Sequence, residues 1–114
     1  PGIPFAAPSS VAPQLEAFPE VPVVLAHAGH GIFSGEAIAM AQTYSQVSME
    51  PSWCTFYHVG AMVDALGADR VMLGTDLPGN APVMMETVRT LGLSDEEEAL
   101  VLGGSATKFF KLDL

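Results

Sequence analysis

Positive charge is the scarcest feature of this sequence: Lys and Arg total 4 against 13 Asp and Glu, a formal net charge of -9 over 114 residues. A surface without a cationic cluster has nothing to neutralise phosphate, which argues against nucleic acid and anionic membrane as partners. Cysteine occurs once, at Cys54, so an internal disulfide framework is excluded and a reducing compartment is expected. With no activating base beside it in sequence, Cys54 reads as a small buried apolar residue and not as a nucleophile. Long apolar runs are also missing. Val21 to Ala26 is the size of a strand and far short of what a bilayer crossing needs. The opening Pro1-Gly2-Ile3-Pro4 has no basic region of the kind a secretory leader carries. The sequence starts as though cut from something longer, and a cytoplasmic location is the default expectation.

What is present is apolar. Hydrophobic residues make up 49% and charged residues 15%, so the chain is expected to collapse around a core, as one modest domain over residues 1–114. Residues 1–10 read as a loop, with Ser9 or Ser10 capping a short helix that carries Leu15 and Phe18 on one face and stops before Pro19 and Pro22. Val21 to Ala26 reads as a strand, ending in the loop His27-Ala28-Gly29-His30-Gly31. Ser34 is then expected to cap a helix with a narrow stripe of Ala37, Ile38, Ala41 and Tyr44.

A second strand is expected over Gln46 to Glu50, closed by Pro51-Ser52. Phe56, Val59, Val63 and Leu66 fall at helical spacing, with Gly67 as the stop. Val71, Met72 and Leu73 form a third short apolar strand that breaks off at Gly74 and is followed at once by Asp76. Pro82 opens another helix with Met84, Val88 and Leu91 inward and Gly92 at its end. Ser94 and Glu97 form a capping box for a helix to Leu102. Gly103-Gly104 and a last helical piece through Phe109 and Phe110 follow. The acidic run Asp95 to Glu98 reads as a solvated first turn and the methionines as core filler.

Repeated strand-helix alternation predicts an α/β fold with parallel strands and right-handed crossovers. Three parallel strands alone would leave both outer edges open, so the pattern reads as the last three βα units of a TIM-type (β/α)8 barrel plus C-terminal helices, a partial barrel. Parallel strands aim their carboxyl ends one way. His27, then Glu50 and Ser52, then Asp76 would therefore ring a single mouth, where an imidazole and a carboxylate can hold a divalent metal or move the proton of a water. His30 reads as a loop residue and His58 as a structural one within its helix.

Three stretches carry a family resemblance: Val23-Val24-Leu25-Ala26-His27-Ala28-Gly29, Leu66 through Pro78 with its Gly74-Thr75-Asp76, and Leu102-Gly103-Gly104-Ser105-Ala106. In this order they resemble the closing third of the amidohydrolase superfamily, and more narrowly its amidohydrolase-related branch of metal-dependent hydrolases and nonoxidative decarboxylases. The resemblance extends over roughly residues 11–112. It implies a (β/α)8 barrel with a catalytic divalent metal, often zinc, at its carboxyl-terminal mouth, acting on a small-molecule substrate. Asp76 matches the aspartate after strand eight, a metal ligand that also handles the proton of the bound water. His27 matches the histidine after strand six, which polarises water or substrate in decarboxylase-like members and is a metal ligand in others. The His-x-His pair after strand one and the ligand after strand five have no counterpart here, so turnover is expected to need the rest of the barrel.

Two other functions fit parts of the pattern. Exposed strand edges would favour a homo-oligomerising interaction module without catalysis. Gly29-His30-Gly31 and Gly35 lie between a strand and a helix, but their spacing departs from the dinucleotide fingerprint by one residue and no acidic residue stands in a ribose-binding context.

Overall fold

The computed structural model describes residues 7–114. The expected loop over 1–10 is thus observed only from residue 7, its first six residues lying outside the described ones. A 3-10 turn at Pro8–Val11 runs into α1 (Ala12–Ala17), followed by β1 (Val23–Ala26), α2 (Ser34–Thr43), β2 (Val47–Glu50) and α3 (Phe56–Leu66). After 3-10 turns at Ala68–Arg70 and Pro78–Asn80 come α4 (Ala81–Arg89) and α5 (Asp95–Ala99). A π-helical turn at Leu100–Gly104 then leads into α6 (Ser105–Phe109).

β1 and β2 pair in parallel, Val23 opposite Val47 through Ala26 opposite Glu50. The expected third strand is reduced to one parallel bridge, Met49 to Val71, with the Met72 N–H donating to the Met49 carbonyl at 2.9 Å. The reason lies on β2: its next position facing this strand is Pro51, which has no N–H to donate, and the Pro51 carbonyl accepts from the Cys54 N–H at 2.9 Å, so the ladder stops. The Leu73 N–H points to the opposite flank and donates to the Val101 carbonyl of the π turn at 2.8 Å, so that outer side is covered by the C-terminal helical stretch. Gly103 and Gly104, expected to interrupt that stretch, do not: Gly104 keeps helical angles (φ -59, ψ -41) and the chain passes through a wider turn into α6.

The core follows the expected spacing in most places. Val47, Met49 and Val71 of the sheet are fully buried against Ala37 and Ala41 of α2, Val59, Met62 and Val63 of α3, Val88 of α4 and Val101. Met40, Met72 and Met84 are buried too, as filler residues should be. Leu15 is buried, but Phe18 is 57% exposed, because α1 ends at Ala17 and the chain turns away before a second face can form. Ser9 does not cap with its side chain; its backbone N–H donates to Glu36 of α2 at 2.7 Å. Hydrogen bonding from the Ser9 side chain, and then from its backbone N–H, holds the Glu36 carboxyl below the usual carboxylate range. The Ser94–Glu97 capping box forms as expected, with the Glu97 N–H donating to Ser94 Oγ at 3.2 Å and the Ser94 N–H donating to Glu97 Oε2 at 3.0 Å. These bonds lower the Glu97 carboxyl as well.

Candidate active site

Both strands and the bridge deliver polar residues to their carboxyl ends. β1 runs directly into a 3-10 turn at His27–Gly29 in which His27 (φ 61), Ala28 (φ 42) and His30 (φ 51) all have positive φ. Each such residue costs about 1–2 kcal/mol and persists only where its surroundings fix it. Ser34 does so. Expected to cap α2, it is instead that helix's first residue, buried, with its hydroxyl donating to the Ala28 carbonyl at 2.9 Å and accepting from the Gly31 N–H at 3.0 Å. Gly29 has no substitute here, since a Cβ would stand 2.6 Å from the Ser34 nitrogen.

The half-buried Glu50 carboxylate closes the end of β2. Its Oε2 accepts from the His27 N–H at 3.1 Å and from Ser52 Oγ at 2.9 Å, and its Oε1 accepts from the Ser52 N–H at 2.7 Å. Ser52 is fully buried, and its Oγ lies 2.7 Å from His27 Nδ1. An imidazole, a hydroxyl and a carboxylate therefore form one line. The side chain of Glu50 lies flat over Gly74, where a Cβ would come within 1.8 Å of Oε1. Gly74 thus marks the end of the bridge strand and makes room for the carboxylate.

Asp76 stands in the exposed bend after the bridge strand with φ 60. Its Oδ2 accepts from the indole N–H of Trp53 at 2.8 Å. Trp53, the one tryptophan of the chain, also has positive φ (66). His27 and Asp76 therefore occupy the same end of the sheet, reached from two neighbouring residues, Ser52 and Trp53, of one short loop. They do not touch one another through a hydrogen bond. Sequence reasoning weighed Glu50 and Ser52 on position alone and missed Trp53, because neither its positive φ nor its bond to Asp76 follows from residue spacing.

The remaining candidates are structural or peripheral. His58 Nδ1 lies 2.9 Å from Thr55 Oγ1 and accepts from the Thr55 N–H, which closes the start of α3. The exposed His30 ring meets His27 edge to face at 5.9 Å between centroids. Cys54 is buried, with its thiol donating to the His27 carbonyl at 3.3 Å. Burial pushes that thiol up, away from thiolate chemistry.

An open cleft of about 550 Å³ runs beside β1, lined by Val11, Val24, Leu25, His27, His30 and Phe33 among others. Its walls are mostly apolar with two imidazoles at one end, a shape suited to a small organic molecule. A metal fits less well. Among the described residues no group of three or more His, Cys, Asp or Glu side chains is placed to hold one, three being the usual minimum of protein ligands. His27 and Asp76 are donors of the right chemistry, but they are two, and one oxygen of Asp76 is taken by Trp53. These residues alone do not make a metal site.

Comparison with known proteins agrees with this architecture. No curated protein matches the chain. Among solved structures, 5-carboxyvanillate decarboxylase LigW from Sphingomonas paucimobilis superposes with a TM-score of 0.68 at 20% identity, over 92% of this chain and 38% of that one. The shared feature at that identity is the fold, and this chain spans well under half the length of the decarboxylase. A family profile described as amidohydrolase matches residues 4–112. The chain belongs to the amidohydrolase family.

Proposed function

We propose that this chain forms the carboxyl-terminal, proton-handling part of an amidohydrolase-related enzyme acting on a small organic substrate. The reading corresponds to the last three βα units of a (β/α)8 barrel, with catalysis by His27 and Asp76 once the remaining barrel is present. The observation that carries it is the convergence of His27, Glu50, Ser52 and Asp76 on the carboxyl ends of adjoining parallel strands, where barrel enzymes keep their chemistry. Hydrolysis of a C–N or C–O bond and nonoxidative decarboxylation both need a proton moved at one atom. An imidazole beside an apolar cleft suits that task. A divalent metal, zinc by family habit, belongs to this reading only with ligands from outside these residues.

Trp53 gives the test a built-in reporter, since it is bonded to Asp76 and is the only tryptophan. Zinc or manganese added to the 114-residue chain should leave its emission unchanged and give no turnover. The same titration on the chain joined to a barrel half bearing a His-x-His pair should shift the emission and switch on activity. Tight binding or turnover by the chain alone would refute the incompleteness, and silence of the completed barrel would refute the enzyme reading.

One observation favours a second reading, a self-associating module. Among the described residues β1 pairs only with β2, leaving its other edge beside the apolar cleft. Sedimentation velocity should then find dimers, and a monodisperse monomer across the concentration range sinks this alternative.

A further inference from the structure

We infer that Glu50 and Ser52 are positioning residues that fix the proton of His27 on Nδ1 and so leave Nε2 as a proton acceptor at the cleft. The argument is one of hydrogen counting. Glu50 Oε1 and Oε2 receive two backbone N–H groups, from His27 and Ser52, at 3.1 Å and 2.7 Å. A carboxylate accepts and does not donate, so the 2.9 Å contact between Ser52 Oγ and Oε2 uses the single hydroxyl proton of Ser52. Ser52 Oγ then has only lone pairs to offer His27. The 2.7 Å contact requires the proton to sit on Nδ1. Nε2 has no hydrogen-bond partner among the described residues, and His27 is one of the residues lining the cleft.

The line from carboxylate through hydroxyl to imidazole does what a carboxylate does directly in a catalytic triad, with a serine interposed. When an O–H or N–H group of a substrate or water meets Nε2, its proton passes to that nitrogen and the electron pair stays on the donor atom. The imidazolium formed still donates Nδ1–H to Ser52, whose hydroxyl remains tied to Glu50. His27 is thereby set to meet a proton-bearing group and not a developing oxyanion. This rests on the proposed function for its chemical meaning. The tautomer itself depends on neither metal nor turnover.

The test is long-range ¹H–¹⁵N correlation NMR of the uniformly labelled chain at a pH where imidazole is neutral, with the His27 signals assigned by their loss in His27→Gln. A free neutral imidazole favours the proton on Nε2. The expected result is the reverse pattern for His27, a protonated-type Nδ1 and an unprotonated-type Nε2. In Ser52→Ala the two resonances should move toward each other or exchange places, while His30 and His58 keep theirs. Ser52→Thr, which restores a hydroxyl, should return the wild-type pattern. Should Ser52→Ala fail to fold, Ser52→Cys replaces it, keeping the size of the group with a far poorer acceptor. An Nε2–H tautomer in the wild type overturns the inference without any variant, and an unchanged pattern in Ser52→Ala overturns the role of Ser52. Neither outcome touches the metal titration, so the two proposals fail separately.

Discussion

Replacing Gly74 by alanine is expected to destabilise the protein by about 3 kcal/mol, although the change adds one methyl group at a half-buried position. The new carbon would stand 1.8 Å from Glu50 Oε1, 2.3 Å from Cδ and 2.5 Å from Cγ, so the side chain of Glu50 would have to leave. Its departure strands three donors, the N–H groups of His27 and Ser52 and the Ser52 hydroxyl. Each stranded donor costs about 1 kcal/mol where water cannot replace the carboxylate. Urea denaturation of the wild type and Gly74→Ala gives the number. The mechanism is tested by the pair: in a Glu50→Ala background the same glycine substitution should cost less than about 1 kcal/mol, because the atoms it collides with are gone. Equal costs in both backgrounds would mean that the strain lies in the backbone and not in the carboxylate.

Arg70→Ala should cost about as much, for a different reason. The guanidinium is the fastener between α2, β2 and the turn before the bridge strand. Its Nη2 donates to the carbonyls of Ala41 at 2.5 Å, Tyr44 at 3.1 Å and Val47 at 2.5 Å, and its Nε donates to Val47 at 3.1 Å. The carbonyl of Ala41 lies in the last turn of α2 and has no helical partner, while that of Tyr44 also accepts from the Val47 N–H at 3.0 Å. Hydrogen bonds from a charged donor contribute roughly 1.5–3 kcal/mol, so the loss of this cluster is expected to total about 3 kcal/mol. Lysine carries its donors on one atom and lacks the fork, so Arg70→Lys should recover about half of the loss. Thermal or urea unfolding of the two variants decides it; a lysine variant as stable as wild type would show that charge alone suffices.

The sequence was legible where periodicity and punctuation agree. The stripe of Val59 and Val63, the Ser94–Glu97 box and the strand ending at His27 all follow from residue spacing and all appear in the structure. Ends that depend on a competing partner were not legible. Ser34 looks like a helix cap by residue type, but the left-handed loop before it needs its hydroxyl more. Val71 to Leu73 looks like a strand by composition, yet Pro51 offers no N–H to carry its ladder past Met72, and the outward Leu73 N–H finds the carbonyl of Val101, twenty-eight residues on, which no local pattern announces. The two glycines at 103 and 104 look like a stop, and packing of Val101 and Ser105 carries the helix through them. At the candidate site, position identified His27 and Asp76 as occupants of one end of the sheet. The bond from Trp53 to Asp76 and the hydroxyl between Glu50 and His27 depend on rotamers and backbone angles that spacing does not encode.

The carbonyl of Val101 that meets Leu73 has one more consequence. Of the two flanks of this small sheet, the one past Val71 is capped at Leu73 by helix, while the flank of β1 has no strand beside it among the described residues. On the self-associating reading, two copies meeting at that flank in a two-fold arrangement would use up both of the open edges seen among the described residues, and growth would end at a pair.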